Sequence, residues 1–406
     1  MIVAASVASG SGFQLNEHGA RGIGMGGAYV ARPFDGSSIF VNPAGLPFLN
    51  GIEFYGGATA IMPSVRFRGA HPDNPVPETR MKNQLFLPPH SYLTYSEGSY
   101  GFGVGVYTMF GLGTDWPEGW AGRAISEKAE LVSFTINPSV GIRVTDFLSV
   151  GAGFSYIPAS VEITRTVKTP FSFETGEPVE PRARITASGS GIGWNAGVLL
   201  MVSDNLSFGL SYRSKSKISF KGDAKFERVP SSLQSSFSDG PMKTTIVAPA
   251  NIYAGLAYKP LADISVGVDF QYTTWSTFDT LIVELEKPLN GQSTIKSTRA
   301  YRNVFLLRAG VEYQVSDQLA LRAGYIFDKN PVKDGYLEPS LPDADRHDIT
   351  VGFGYSLSEN LHIDASYMFV ISLQRSETRS IPEFSFNGTY NSIAHLASVS
   401  VRYRIL

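Results

Sequence analysis

The sequence predicts an all-β fold, a 14-stranded antiparallel transmembrane β-barrel with an N-terminal hatch, or plug, in its lumen. Three observations point there. Run after run of residues alternates apolar with polar or small side chains, the period of a strand with one greasy face. The breaks between these runs alternate short with long. The stretch from Ser11 to Leu49 keeps neither the strand nor the helix period and is rich in glycine and other small residues.

At 406 residues the chain is longer than one compact core usually grows, and barrels are the exception to that bound. Hydrophobic residues make up 43%, yet no apolar run approaches the ~20 residues a spanning helix requires. A helical membrane protein is excluded. The 19 tyrosines, 26 phenylalanines and 41 glycines suit aromatic girdles and close-packed strands. A net charge of −2, with cations spread along the chain, offers no basic patch for nucleic acid. The absence of cysteine excludes a disulfide framework and a cysteine metal site.

Taken in order, residues 1–9 read as a signal-peptide remnant or flexible terminus, since Met1 to Ala8 offers small residues at a cleavage site but no charged start. Residues 10–50 are the hatch and 51–406 the barrel. Within the barrel, Val132, Phe134, Ile136, Val140, Ile142 and Val144 oppose Ser133, Thr135, Asn137, Ser139 and Arg143. Leu206, Phe208, Leu210 and Tyr212 alternate with Ser207, Gly209, Ser211 and Arg213. Ile264 to Tyr272 and Ile349 to Leu357 repeat the pattern. Glu97-Gly98-Ser99, Thr145-Asp146, Ser203-Asp204-Asn205, Ser316-Asp317-Gln318 and Ser358-Glu359-Asn360 are tight-turn sequences. Long Pro- and Ser-rich segments lie between them, such as Gly113 to Lys128 and Lys329 to Ala344. Short periplasmic turns and long external loops characterise outer-membrane barrels, and the segments number about 14, an even count of the required kind. A soluble β-sandwich also alternates, but its Greek-key connections predict no short-long rhythm. The last strand, Val399 to Ile405, alternates as well, although the chain ends in Leu406 on the other register.

Several stretches resemble the outer-membrane long-chain fatty acid channel family, the FadL type, with its aromatic-hydrocarbon relatives. They are GFQLNE at Gly12 to Glu17, Asn42-Pro43-Ala44, GWNAGVLL at Gly193 to Leu200, SYRSKSKISFKG at Ser211 to Gly222, YTTWSTF at Tyr272 to Phe278 and PDADR at Pro342 to Arg346. The resemblance spans most of the chain. It implies a monomeric barrel that captures hydrophobic molecules outside, holds them in a lumenal pocket and releases them sideways at a kinked third strand, with Gly111 at the kink. The other reading of Gly111 is a glycine that ends its strand.

A fatty acid needs an apolar slot and a cation for its carboxylate. Alternation back from Phe305, Leu307, Ala309 and Val311 puts Arg302, Arg308 and Glu312 on the opposite face with Val304 and Leu306. A charge facing lipid near the midplane costs roughly 2 to 4 kcal/mol, so that face is lumenal. YRNVFLLRAG at Tyr301 to Gly310 also resembles the family strand that bears a head-group cation, with Arg302 at the basic position. Arg165 is the second candidate, sharing an inward face with Val161 and Ile163; Glu312 is a carboxylate able to neutralise either arginine. Phe13 resembles the aromatic that the family tucks into its pocket. Asn42, Pro43 and Ala44 form the hatch turn, with Asp345 and Arg346 as barrel-side partners. Phe171, Phe173, Leu233 and Phe237 are expected to form an exposed external capture groove, in loops that also hold Trp116, Trp120 and Val229.

Gly22 to Gly27 satisfies a dinucleotide-loop pattern, but no strand precedes it and no βαβ unit follows. No HExxH or GxSxG occurs, and no catalytic cluster assembles, so no enzyme, metal or cofactor is expected. The expected partners are a hydrophobic small molecule and the lipid and lipopolysaccharide of the outer membrane. Three rival functions remain: an aromatic-hydrocarbon channel of the same family, a barrel for adhesion or surface recognition through its loops, and a barrel hydrolase acting on phospholipid or peptide.

Overall fold

The computed structural model describes residues 12–69, 78–167, 180–382 and 386–405. Among these residues, 14 antiparallel strands close into one barrel. They are β1 (Gly51–Gly69), β2 (Pro89–Glu97), β3 (Tyr100–Tyr107, resuming at Gly111–Asp115), β4 (Lys128–Ser133 and Thr135–Arg143), β5 (Leu148–Thr166), β6 (Arg182–Ser203) and β7 (Leu206–Arg213 and Ser216–Glu227). The circuit continues with β8 (Gly240–Ala248 and Asn251–Leu261), β9 (Ile264–Thr273 and Thr280–Leu289), β10 (Gln292–Thr298 and Val304–Gln314), β11 (Leu319–Asp328), β12 (Arg346–Ser356), β13 (Leu361–Ser372) and β14 (Gly388–Arg404). Each strand pairs with its chain neighbours, and β14 returns to β1 from Glu53↔Arg404 to Gly69↔Gly388. Closure leaves no sheet edge, as a hydrocarbon environment demands.

The burial pattern is inverted relative to a soluble sandwich. Phe102, Val104, Phe154, Trp194, Ile349 and Val351 are exposed, whereas Asn137, Ser149, Asn251, Gln271 and Thr350 between such residues are buried. The greasy face of each strand points out to lipid, and the polar face packs on a filled lumen.

What fills the lumen is the N-terminal segment. Its regular pieces are short: α1 (Ala20–Gly24), α2 (Ser38–Val41) and a 3-10 turn over Pro43–Phe48. Close approach is possible because the wall presents glycines. A Cβ at Gly267 would stand 2.2 Å from the Ala28 carbonyl oxygen, and one at Gly310 2.1 Å from that of Met25. The small residues alternating along these strands are thus the seats of the hatch backbone.

Two connections differ from the expectation. The β9–β10 hairpin turns at Asn290 (φ 49) and Gly291 (φ 79), where the sequence reading marked no break. Asn-Gly is the strongest short hairpin signal, and both residues adopt the positive φ it favours. The loop between β11 and β12 does not project outward but folds into the barrel mouth, burying Val332, Leu337 and Leu341. Trp116 donates from Nε1 to the Pro339 carbonyl at 3.0 Å and stacks on Trp120 at 4.2 Å. Both tryptophans are buried, so they roof the lumen and are not exposed loop residues.

Candidate functional site: an apolar cavity under the barrel mouth

The site begins with Gly12, whose φ of +65° suits glycine, and whose Cβ would stand 2.5 Å from the Trp275 ring. Its amide donates to Asp343 Oδ2 at 2.9 Å. Burial pushes the Asp343 carboxyl up to about 6, against the pull of Arg346. Next, Phe13 turns its ring edge-on to Trp275 (4.6 Å), Phe278 (5.3 Å) and Phe110 (5.9 Å). Edge-to-face pairs of this kind contribute about 0.5–1.5 kcal/mol each beyond area burial. The backbone is tied as firmly: Gly111 N donates to Phe13 O at 3.0 Å and Leu15 N to Met109 O at 2.9 Å.

Those bonds use the interruption of β3. Between Tyr107 and Gly111 the strand leaves the ladder, and Thr108 to Phe110 bend toward the hatch. Ser133 Oγ donates to Phe110 O at 2.7 Å and accepts from Phe110 N at 3.1 Å, satisfying groups that the ladder has released. Gly111 is the residue at which the strand resumes.

Beside Phe13 lies a cavity of about 150 Å³. An apolar cavity of ~150 Å³ is large enough for one benzene-sized ring. Val161, Ile163, Ile185, Ile246, Leu281, Val283 and Ile295 line it, with Leu131, Phe278 and Tyr301. Its charged lining is Arg165, Arg299, Glu130 and Glu338. Arg299 and Glu338 form an ion pair, with only 14% and 7% of their side chains exposed.

The structure thus brings Phe13, Val161, Ile163 and Arg165 to one cavity. It does not bring Arg302 there. Arg302 is exposed, its amide donating to Pro331 O at 2.9 Å and its Nε to Asn330 O at 3.4 Å. The alternation that pointed it inward begins only at Val304; residues 299–303 are irregular, and of them Arg299 and Tyr301 line the cavity. Val304 and Leu306 are buried on the lumenal face of β10 but do not line the cavity. Sequence reasoning missed Arg299, Tyr301 and Phe278, which the unrecognised β9–β10 hairpin and its approaches deliver.

Asn42 donates from Nδ2 to Val30 O and to Val198 O of β6, each at 3.0 Å, and its Oδ1 accepts from Ala44 N at 3.2 Å. Pro43 and Ala44 lie against Gly151, and Ser149 Oγ donates to Ala44 O at 2.7 Å. Asp345 accepts instead from Lys329 and Asn330 of its own loop, leaving the hatch amide to Asp343. Arg346 pairs with Asp328. Glu312 is engaged by Arg21 (2.9 Å), Arg32 (2.8 Å) and Arg322 (2.6 Å), so it ties hatch to wall and neutralises neither Arg302 nor Arg165.

Of the expected capture residues, Phe237 is not exposed: it is buried edge-on to Phe226 at 5.6 Å and bridges to Leu289. Leu233 is half-buried on a short 3-10 turn, Ser231–Ser236. Phe171 and Phe173, like Met1 to Ala8, lie outside the described residues.

The family model described as outer membrane protein transport protein (OMPP1/FadL/TodX) matches residues 1–405. A "Long-chain fatty acid transport protein" of Escherichia coli O6:H1 is 27% identical over 93% of this chain and 91% of its own. "Outer membrane protein P1" of Haemophilus influenzae is 24% identical over 91% of this chain and 88% of its own. Among solved structures, a Pseudomonas aeruginosa FadL homologue superposes with a TM-score of 0.87 at 19% identity, covering 98% of this chain and 100% of that one. The P. putida toluene transporter TodX gives 0.77 at 17% identity, covering 96% and 98%.

Proposed function

Because the chain belongs to the OMPP1/FadL/TodX family of outer-membrane transport proteins, we propose that it is a passive channel for long-chain fatty acids or similar hydrophobic compounds. The observation that carries this reading is the apolar cavity lined by Phe13 and bearing Arg165 and Arg299 in its wall. A hydrocarbon chain gains about 0.8 kcal/mol per buried methylene there. A carboxylate joins the Arg299–Glu338 pair or meets Arg165, taking charge-assisted bonds from a guanidinium fork. Arg165 and Arg299 therefore replace Arg302 as the head-group residues.

The cavity accommodates about one ring-sized group, so a long chain requires Phe13 to withdraw. Withdrawal breaks the two backbone bonds to Met109 and Gly111 and frees the bend in β3. Ligand entry is thereby coupled to the strand interruption, and lateral release through that interruption into the bilayer follows as the exit step. No energy source enters this scheme.

An aromatic-hydrocarbon substrate is the second reading, favoured by the match between a cavity of this size and a single ring, and by the arginine already paired to Glu338. Equilibrium binding of a long-chain fatty acid, its uncharged alcohol and a monoaromatic hydrocarbon to detergent-purified protein separates them. Preference for the acid, lost in Arg165→Ala or Arg299→Ala, is the expected result. Equal binding of acid and alcohol by all three proteins would transfer the assignment to hydrocarbons. No binding of any probe would leave the loops, and a recognition role, as the function.

A further inference from the structure

The buried arginines of the barrel wall have carboxylates beside them, with one exception. Arg322 pairs with Glu312 and Asp364, Arg346 pairs with Asp328, and Arg308 stands across the ladder from Asp269. Arg213, the last residue in the first half of β7, is 2% exposed, and its partners across the ladder are neutral, Asn195 of β6 and Asn251 of β8. Nη2 donates to Phe40 O at 2.9 Å and Nη1 to Ser155 Oγ at 3.3 Å, the guanidinium lies over the rings of Phe40 and Tyr107, and Nε has no partner. Among the described residues no carboxylate forms an ion pair with it. A buried charge without a counter-ion is costly, and packing alone is better served by a neutral side chain of similar volume.

This cation stands beside the interruption of β3. Tyr107, the last residue before the break, turns its ring to Arg213 and donates to Asn137 Oδ1 at 2.8 Å. Thr108 follows it, and Thr135 of β4 faces it across the ladder; both are buried, and neither hydroxyl has a hydrogen-bond partner. From the other side the hatch covers the place. Phe40 lies against Arg213 and, with Tyr253 and Asn16, lines a second cavity of about 20 Å³, whose charged lining, Glu17 and Arg308, carries one charge of each sign. Phe13 lines the large cavity and Asn16 the small one; Gln14 between them donates to Asn16 Oδ1 at 3.1 Å and to the Tyr253 hydroxyl at 3.5 Å.

We propose that Arg213 is a second head-group residue, which takes the carboxylate of a fatty acid leaving the Arg165–Arg299 cavity and holds it at the interruption of β3 before release. The inference rests on the fatty-acid reading above and assigns a residue to its exit step. Withdrawal of residues 13 to 16 joins the two cavities and opens a path past Phe40 and Tyr107 to the guanidinium. The Nε–Nη2 edge is the one with which Arg21 grips Glu312, at 3.1 and 2.9 Å. In Arg213 the Nε of that edge is uncommitted and Nη2 is held by a neutral carbonyl, which a carboxylate displaces because its charge-assisted bonds are stronger. An acid fixed in the wall would occupy that edge permanently; two asparagines leave it to a mobile counter-ion.

The test is uptake of a long-chain fatty acid and of its uncharged alcohol into vesicles carrying full-length wild type, Arg213→Gln or Asn251→Asp, beside equilibrium binding of the acid to each protein in detergent. Asn251→Asp sets a fixed carboxylate across the ladder from Arg213, keeps the bonds that Oδ1 accepts from Gln271 and Thr273, and removes an Nδ2 group that has no partner. It carries the test if Arg213→Gln does not fold. Folded variants, identified by the heat-resistant electrophoretic mobility of the barrel, should keep the hatch amide protection of wild type and bind the acid as tightly, because the closed cavity lies elsewhere. Acid uptake is expected to slow roughly tenfold in each, the loss of one charge-assisted contact, while alcohol uptake stays within about twofold. Acid uptake at the wild-type rate in either folded variant would overturn the assignment. So would equal slowing of acid and alcohol with weakened hatch protection, which marks Arg213 as an anchor of the hatch only. A wild type that shows no preference for the acid over the alcohol defeats the fatty-acid reading and this inference together; a wild type that prefers and transports the acid, with variants that match it, defeats this inference alone.

Discussion

Asn42 holds the hatch turn through a single side chain, bonded at once to Val30, to Val198 of the wall and to its own turn at Ala44. Asn42→Ala removes all three bonds and orphans a buried carbonyl of the hatch, at a cost of about 1–3 kcal/mol. The loss should appear as weakened amide protection across the hatch and altered uptake, with barrel melting unchanged; protection and uptake equal to wild type would refute this role. Glu312 is the electrostatic counterpart. Glu312→Gln leaves Arg21 and Arg32 beside a neutral amide and Arg322 with Asp364 alone, and breaking a buried pair costs roughly 3–5 kcal/mol. Hatch amides should then exchange much faster than the strands around them. His18 gives docking a pH dependence. It is buried against Phe40 and bonded to Leu15 O at 3.0 Å; burial first, then His90 and Arg213, hold its imidazole well below the usual 6.5. The docked hatch refuses a proton that the released hatch accepts, so this contribution is complete above pH 6.5 and declines as pH falls below it. Protection factors, which normalise intrinsic exchange rates, should drop from pH 7.5 to 5 in wild type and less in His18→Gln. An identical drop in the variant would assign the effect elsewhere.

At the scale of elements, the interruption of β3 and the first residues of the hatch form one device. Gln14 and Phe110 are bridge partners, and antiparallel partners stand at Cα separations of ~4.5–5.5 Å, within the disulfide range of ~4.4–6.8 Å. The chain has no native cysteine, so Gln14→Cys with Phe110→Cys yields one clean cross-link. Oxidation should stop uptake of long chains, and reductant should restore it; uptake indifferent to oxidation would show that the hatch terminus stays in place during transport. The strands of the barrel were legible in the sequence because alternation is a local property: the apolar residues from Ile349 to Leu357 face out as their period requires. Residues set by irregular backbone were not. Arg302 precedes the strand that would have oriented it, Phe237 is covered by Phe226 from another strand, and Asp343 takes the Gly12 amide two positions before the expected Asp345. Gly267 and Gly310 read as merely small on the polar face; only the hatch packed on them shows why no Cβ is admitted.

For the whole molecule, the exposed apolar wall, the buried polar face and the absence of a sheet edge describe one object, a barrel that lives in lipid and is stoppered by its own N-terminus. The alternating pattern and the Asn42-Pro43-Ala44 turn announced that architecture. The cavity was only half legible, since the hatch lines it with Phe13 and the 17-residue loop after β11, from 329 to 345, with Glu338, Ser340 and Leu341. Its contents are the central claim. Ala129, buried at 4% exposure, lines it from β4, and Ala129→Trp fills it with little demand on the surrounding strands. The measurement is equilibrium binding of long-chain fatty acid, alcohol and monoaromatic probes to this variant, once its heat-resistant mobility and hatch protection match wild type. Loss of binding for every probe that wild type holds is the predicted result. Undiminished binding in the folded, plugged variant would contradict the account and move the ligand out of the lumen.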